Sequence, residues 1–175
     1  NMVQNKDERG KADWYNVSGS AYDKYVKEQG DFLKEKIAEL IKHNPDIINK
    51  DKEDIVYVIS PFRNVVFHLA QKLKEIDFTR YSDDRKPTNV GTVHTFQGKE
   101  AAIVFLVLGC DGKSKGAADW AVGSSNPNIM NVAATRAKEE FYIIGDQKLF
   151  MNINSEVINQ TYSILQRFNG ERNEQ

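Results

Sequence analysis

The chain has 175 residues, 40% of them hydrophobic and 28% charged, with a formal net charge of −1. That is enough for one globular domain with its own core. No apolar run approaches the roughly 20 residues of a membrane span, and the charge balance argues against a strongly basic nucleic-acid module, though it leaves room for a local basic groove. The single cysteine, Cys110, excludes an internal disulfide framework and argues for a reducing, cytoplasmic setting. His43, His68 and His94 are scattered without metal-ligand spacing, so no metal site is expected in the chain. The N-terminal stretch NMVQNKDERGKAD has no apolar signal-peptide core, and it starts with Asn rather than Met, as a piece of a longer protein would.

Residues 1–12 read as a frayed tail and Asp13–Gly19 as a short strand. Leu33, Ile37, Leu40 and Ile41 repeat at helical spacing, which predicts a helix over Asp31–His43, stopped by Asn44-Pro45-Asp46. Asp54–Ser60 is an apolar, β-branched strand, and Ser60-Pro61 follows as a helix cap and first helical position. The helix from Pro61 to Ile76 would turn Val65, Val66, Leu69, Leu73 and Ile76 inward. After a polar loop come a strand over Asn89–Phe96, a turn at Gln97–Glu100, and a strand over Ala101–Gly109. Residues 110–128 form a long loop rich in Gly, Ser and Lys. A helix over Asn128–Glu140, a strand over Phe141–Asp146 and a final amphipathic helix complete the chain. That last helix would bury Ile153, Val157, Ile158, Ile164, Leu165 and Phe168.

Strands alternate with helices, and most strands are apolar throughout, as in strands covered on both faces. The pattern predicts an α/β layered fold with a mostly parallel sheet. Ligands in such sheets usually bind beyond the carboxyl ends of the strands. The turns after Ile59, Phe96, Leu108 and Ile144 are therefore the ones to watch.

Three segments carry chemistry. On a helix over Asn128–Glu140, at about 100° per residue, Arg136 projects into the apolar arc between Ile129 and Val132. A buried unpaired guanidinium is costly, so it needs an anion. That anion is either Glu140 or Asp146 within the chain, or an external group such as a nucleotide phosphate, which suits the permanent charge and bidentate fork of Arg. In TVHTFQGKE, a strand would place Thr92 and His94 on one face and Thr95 on the other, ahead of Gln97, Gly98, Lys99 and Glu100. In SPFRN, Ser60 and Arg63 stand at the first turn of a helix, where anions are favoured. A solvated arginine and a plain polar loop remain open as readings of these last two. Gly112-Lys113-Ser114 follows an apolar strand like a phosphate-binding P-loop, but Val107 stands where that motif needs a glycine.

Taken in order, ISPFRNVV, GTVHTFQGKEAAIVFLVLG and NVAATRAKEEFYIIGD resemble motifs IV, V and VI of superfamily 1 helicases, in the branch of the nonsense-decay and Okazaki-fragment helicases and of bacterial AAA-type helicases. The resemblance spans roughly Trp14–Phe150. It implies the second RecA-like motor domain of an ATP-dependent helicase: a P-loop NTPase fold without its own P-loop, over residues 13–170, with tails at 1–12 and 171–175. The fragment alone is then inactive. ATP and Mg2+ would be bound mainly by an N-terminal RecA-like domain, and the polymer partner would be single-stranded DNA or RNA. The same resemblance makes Arg136 the arginine finger and sets Gln97, Gly98, Lys99, Glu100 and, more loosely, Lys27 on the nucleotide side. It sets Ser60, Arg63, Thr92, His94 and Thr95 on the nucleic-acid side, although the family often has an acidic residue where His94 stands. The 109–127 loop is longer than in the eukaryotic members. Two other readings stand beside this one: a kinase-like domain using Gly112-Lys113-Ser114, and a non-catalytic helicase-like binding module.

Overall fold

The computed structural model of the chain describes residues 11–123, 129–153 and 155–170. The elements run β1 (Lys11–Asn16), β2 (Ala21–Tyr22), β3 (Tyr25–Val26), α1 (Lys27–His43), β4 (Val56–Ile59), α2 (Arg63–Lys74), β5 (Val90–Gly91) and β6 (Ala101–Val107). They continue with α3 (Lys115–Val122), α4 (Ile129–Ala134), β7 (Ala137–Gly145), α5 (Gln147–Met151) and α6 (Ser155–Asn169). Short 3₁₀ turns follow α1 at Pro45–Ile48 and precede α3 at Gly112–Ser114.

Five strands form one sheet in the order β1-β7-β6-β4-β5, and every pair in it is parallel. β2 and β3 make a separate antiparallel hairpin. The central strands are buried along their length, as in Val56–Ile59 and Ile103–Val107, because helices cover both faces. α1 packs on α2, while α4 and α5 each pack on α6, and α6 packs on β1 and β7. The expected α/β fold with a parallel sheet is the one observed. Among the described residues, no helix is long and apolar enough to cross a membrane.

Several boundaries differ from the sequence expectation, each for a tertiary reason. β1 starts at Lys11, inside the segment read as a tail, because Lys11 and Ala12 pair with Glu140 and Phe141 of β7. The rest of the two tails lies outside the described residues. The strand expected over Asn89–Phe96 reduces to Val90–Gly91. β6 runs parallel to β4, so the chain must travel back across the sheet before β6 can begin. It does so through successive turns, with Thr95 N donating to Thr92 O, Phe96 N to Val93 O and Lys99 N to Phe96 O. The helix expected over Asn128–Glu140 stops at Ala134. From Ala137 onward the chain pairs with β6 on one side and, from Glu140, with β1 on the other, and hydrogen bonds to both neighbours outweigh local helix propensity.

The 110–128 loop contains α3, anchored by buried Ala118, Ala121 and Val122. α1 begins four residues earlier than Asp31, at Lys27. α2 begins at Arg63, so Ser60 and Pro61 precede the helix rather than cap it. In α6, Val157, Ile164 and Phe168 are buried as expected, whereas Ile158 faces outward.

Candidate functional site

A parallel sheet has two chemically distinct edges. Here the carboxyl edge is formed by the ends of β1, β7, β6, β4 and β5 at Asn16, Gly145, Val107, Ile59 and Gly91. Over β6 and β1 it is closed by protein. The β2–β3 hairpin lies across it, with Cys110 N donating to Lys24 O at 2.7 Å and Ala21 N to Asp111 Oδ2 at 2.7 Å. Asn64 Nδ2 donates to Asp23 O at 2.6 Å. Gln29, fully buried at the start of α1, accepts from Gly109 N and donates to Val17 O, both at 2.9 Å. Gly109 and Cys110 both carry positive φ, and a Cβ on Gly109 would stand 2.3 Å from Lys24 O. Burial pushes the Cys110 thiol up to about 11, so it is not a nucleophile near neutral pH.

Gly112-Lys113-Ser114 sits in this cover. Asp111 supplies the anion for the loop from within: its carboxylate accepts from Lys113 N at 2.9 Å, Ser114 Oγ at 3.3 Å and Ala21 N. These bonds, the one from Ala21 N first, hold the Asp111 carboxyl below its ordinary value. The Lys113 and Ser114 amides are therefore already engaged within the loop, which argues against a P-loop here.

The amino edge is different. The return run brings Gln97, Gly98, Lys99 and Glu100, all exposed, to the start of β6. Phe96 anchors the run by burying its ring against Tyr57, with centroids 4.3 Å apart. Gly98 adopts φ +74°, and nothing lies within 4 Å of a Cβ built there, so the backbone conformation alone demands glycine. Just before Phe96, Thr95 seats its side chain on Gly91, where a Cβ would come within 2.4 Å of Thr95 Oγ1.

Arg136 meets this run through the backbone: Ala101 N donates to Arg136 O at 2.9 Å. It lies in the turn between α4 and β7, fixed on its other side by Arg136 N to Ala133 O at 3.1 Å. Its Nε is buried and has no hydrogen-bond partner among the described residues. Neither in-chain candidate pairs with it there. Glu140 is four residues along an extended chain, roughly 13 Å at 3.3 Å per residue, and accepts from Tyr142 Oη at 2.6 Å. Asp146 caps α5 by accepting from Leu149 N at 3.1 Å.

The structure thus brings Arg136 together with Gln97–Glu100 at the amino edge, rather than in the turns beyond the carboxyl ends. Lys27 is not among them. It opens α1 beside the carboxyl edge, separated from Arg136 by the length of β6, about 20 Å of strand. Its ion pair with Asp31 is a long one, 3.9 Å. Asp31 makes its close bond, 2.6 Å, to Lys72 instead.

The other group falls on the carboxyl side or along the return run. Ser60 is fully buried, its N donating to Gly91 O and its Oγ accepting from Phe62 N at 3.4 Å. Arg63 is exposed at the first position of α2, Thr92 follows β5 half-buried, and His94 is exposed.

A further polar cluster escapes sequence reading. Arg80 pairs with Asp54 at 3.0 Å and donates to Lys52 O at 2.7 Å and Asn49 O at 2.6 Å. It thereby clamps the loop that feeds β4. Burial raises the Asp54 carboxyl, while the charges of Arg80 and then Lys99 pull it back. No spacing ties residue 80 to residues 49–54, so only the fold shows it.

An AAA domain family model (AAA_12) matches residues 2–148, most of the chain. The chain belongs to this AAA domain family. This AAA domain is found in superfamily 1 helicases, and the chain is a helicase-like motor domain by that membership. The five-stranded parallel sheet flanked by helices agrees with the RecA-like fold of such AAA domains.

Proposed function

We propose that this AAA domain is the second RecA-like motor domain of an ATP-dependent helicase or translocase, in the nonsense-decay and Okazaki-fragment branch of superfamily 1, acting on single-stranded DNA or RNA. Its folded body is residues 13–170 with the start of β1 added, and its partner is an N-terminal RecA-like domain in a longer chain. That partner contributes the P-loop and the acidic pair for Mg2+.

One observation carries this reading: Arg136, its Nε buried without a partner among the described residues, is tied by its carbonyl to the residue that follows Gln97–Glu100. A guanidinium with an unpartnered buried Nε, on a backbone held next to an exposed polar turn, suits an anion that arrives from outside the domain. In this reading Arg136 neutralises the charge that builds on the transferred γ-phosphoryl group of ATP. Glu100 takes the ribose or the nucleotide-side network, and Gln97, Gly98 and Lys99 form the rest of the amino-edge surface. Arg63, Thr92 and His94 face the nucleic-acid backbone, while Ser60 and Thr95 act by holding the turns that present them. Lys27 is left off the nucleotide side because it lies at the opposite edge.

The test is ATP turnover by the longer protein containing this domain. Arg136→Ala should lower turnover by about 10³–10⁵, with folding by circular dichroism and ATP binding retained. Arg136→Lys should recover little, since the bidentate fork is lost. Unchanged turnover would return Arg136 to a structural role. The isolated domain, which has no Gly-x-x-x-x-Gly-Lys-[Ser/Thr] sequence, should hydrolyse no ATP.

A further inference from the structure

The 110–128 segment takes no part in the proposed nucleotide and strand contacts. The structure folds its middle into α3 and turns one large side chain outward. Trp120 is 50% exposed, although its helix neighbours Ala118, Ala121 and Val122 are buried. Its indole lies 5.9 Å from the Phe62 ring, centroid to centroid, at 37°. Phe62 itself is buried, and Lys24 Nζ sits 5.3 Å from its ring centroid. A cation and a half-open indole thus both lie against one buried ring. Arg63, exposed, follows Phe62 directly, and the hairpin that supplies Lys24 also carries Tyr22, 79% exposed.

Two acids, Asp23 and Asp119, share this surface, so it is not uniformly basic. A ligand held by charge alone finds little here. A ligand that offers a flat π-face to Trp120 and a phosphate to Arg63 or Lys24 matches both features, and unpaired nucleic-acid bases do so, because every base stacks on an aromatic ring whatever its identity. We propose that Trp120, backed by Phe62 and Lys24, is a stacking platform for an unpaired base of the single-stranded nucleic acid, an inference that rests on the nucleic-acid reading of this domain.

The two tryptophans make the test direct. Trp14 is buried, with its Nε1 donating to Gly145 O, so a change in emission on adding ligand reports Trp120. The chain is titrated with labelled oligodeoxythymidylate and, separately, oligouridylate. Anisotropy follows binding and tryptophan emission follows stacking. The expected result is quenching on binding, with Trp120→Ala weakening affinity about tenfold or more and abolishing the quench. Trp120→Phe keeps most of the affinity, and its Trp14 emission and circular dichroism verify the fold. Arg63→Ala instead lowers the slope of log affinity against log salt by about 0.7 for each phosphate that Arg63 neutralises, whereas Trp120→Ala leaves that slope unchanged. Binding with no quench and an unaltered Trp120→Ala affinity overturns the platform and leaves the nucleic-acid reading standing. Absence of binding to either oligonucleotide at low salt overturns both.

Discussion

At the scale of single residues, the return run shows how backbone and side chain divide the work. Gly98 has open space around it but a left-handed backbone, so Gly98→Ala should cost roughly 1–2 kcal/mol from conformation alone. Gly98→Asn should cost less, because Asn tolerates that region. Gly91 is the converse. Its Cβ site is filled by Thr95, so Gly91→Ala must displace Thr95 and the turn it closes, and it should destabilise more than Gly98→Ala. Urea midpoints of the three variants at unchanged m-value decide this; an ordering with Gly91→Ala the mildest would contradict the packing argument. The glycines and Arg136 are visible in the sequence as chemical types. Which of them needs a conformation and which needs space is not, because the first depends on the backbone turn at Gly98 and the second on where Thr95 lands.

At the scale of elements, the sequence reads well where one strand or helix dictates its own pattern. β4, β6 and α2 are apolar runs or stripes whose burial follows from their composition, and all three appear close to where periodicity puts them. It reads poorly where a neighbour decides. Ala137–Glu140 has the charges of a helix end yet forms the start of β7, because β6 lies beside it and β1 joins at Glu140. Val93–Phe96 continues the β-branched stretch that begins with β5 yet turns, because a parallel β6 must begin at the other edge. α3 is hidden in a loop-like composition, and its burial against α4 and α5 is what makes it a helix.

The β2–β3 hairpin is another element held by others, through Asp111 at its base. The Asp111 carboxyl is lowered by the amides it accepts, so its stabilising contribution is present above the ordinary Asp value near 3.9 and is lost as pH falls through the lower folded value. Asp111→Asn should therefore speed hydrogen exchange of the Ala21 and Lys113 amides at neutral pH. In denaturant titrations, its stability deficit against the parent should shrink as pH falls below the usual carboxylate range. A deficit that stays constant with pH would mean that Asp111 acts through shape and not charge.

At the scale of the whole molecule, the sheet separates two surfaces. Arg136 and Gln97–Glu100 are at the amino edge, whereas Arg63 and Thr92 are at or beside the carboxyl edge. The chain that joins them is the return run itself, Thr92 to Glu100, which touches both edges within nine residues and is pinned midway by Phe96 on Tyr57. On the function proposed above, such a run is the shortest covalent route between the nucleotide side and the strand side. Substitutions at the two ends should then be independent in binding and coupled in turnover. In the longer protein, Arg136→Ala should leave affinity for a single strand within about twofold, and Arg63→Ala should weaken it while sparing basal turnover without nucleic acid. Sites this far apart with no shared partner add to within a few tenths of a kcal/mol in binding free energy. Loosening the pin tests the coupling. Phe96→Leu keeps an apolar anchor but gives up the ring stack on Tyr57, worth about 0.5–1.5 kcal/mol. It should reduce the stimulation of ATP turnover by single strands more than it reduces either basal turnover or strand affinity. Stimulation that survives Phe96→Leu in a folded protein would show that the two edges communicate by another path.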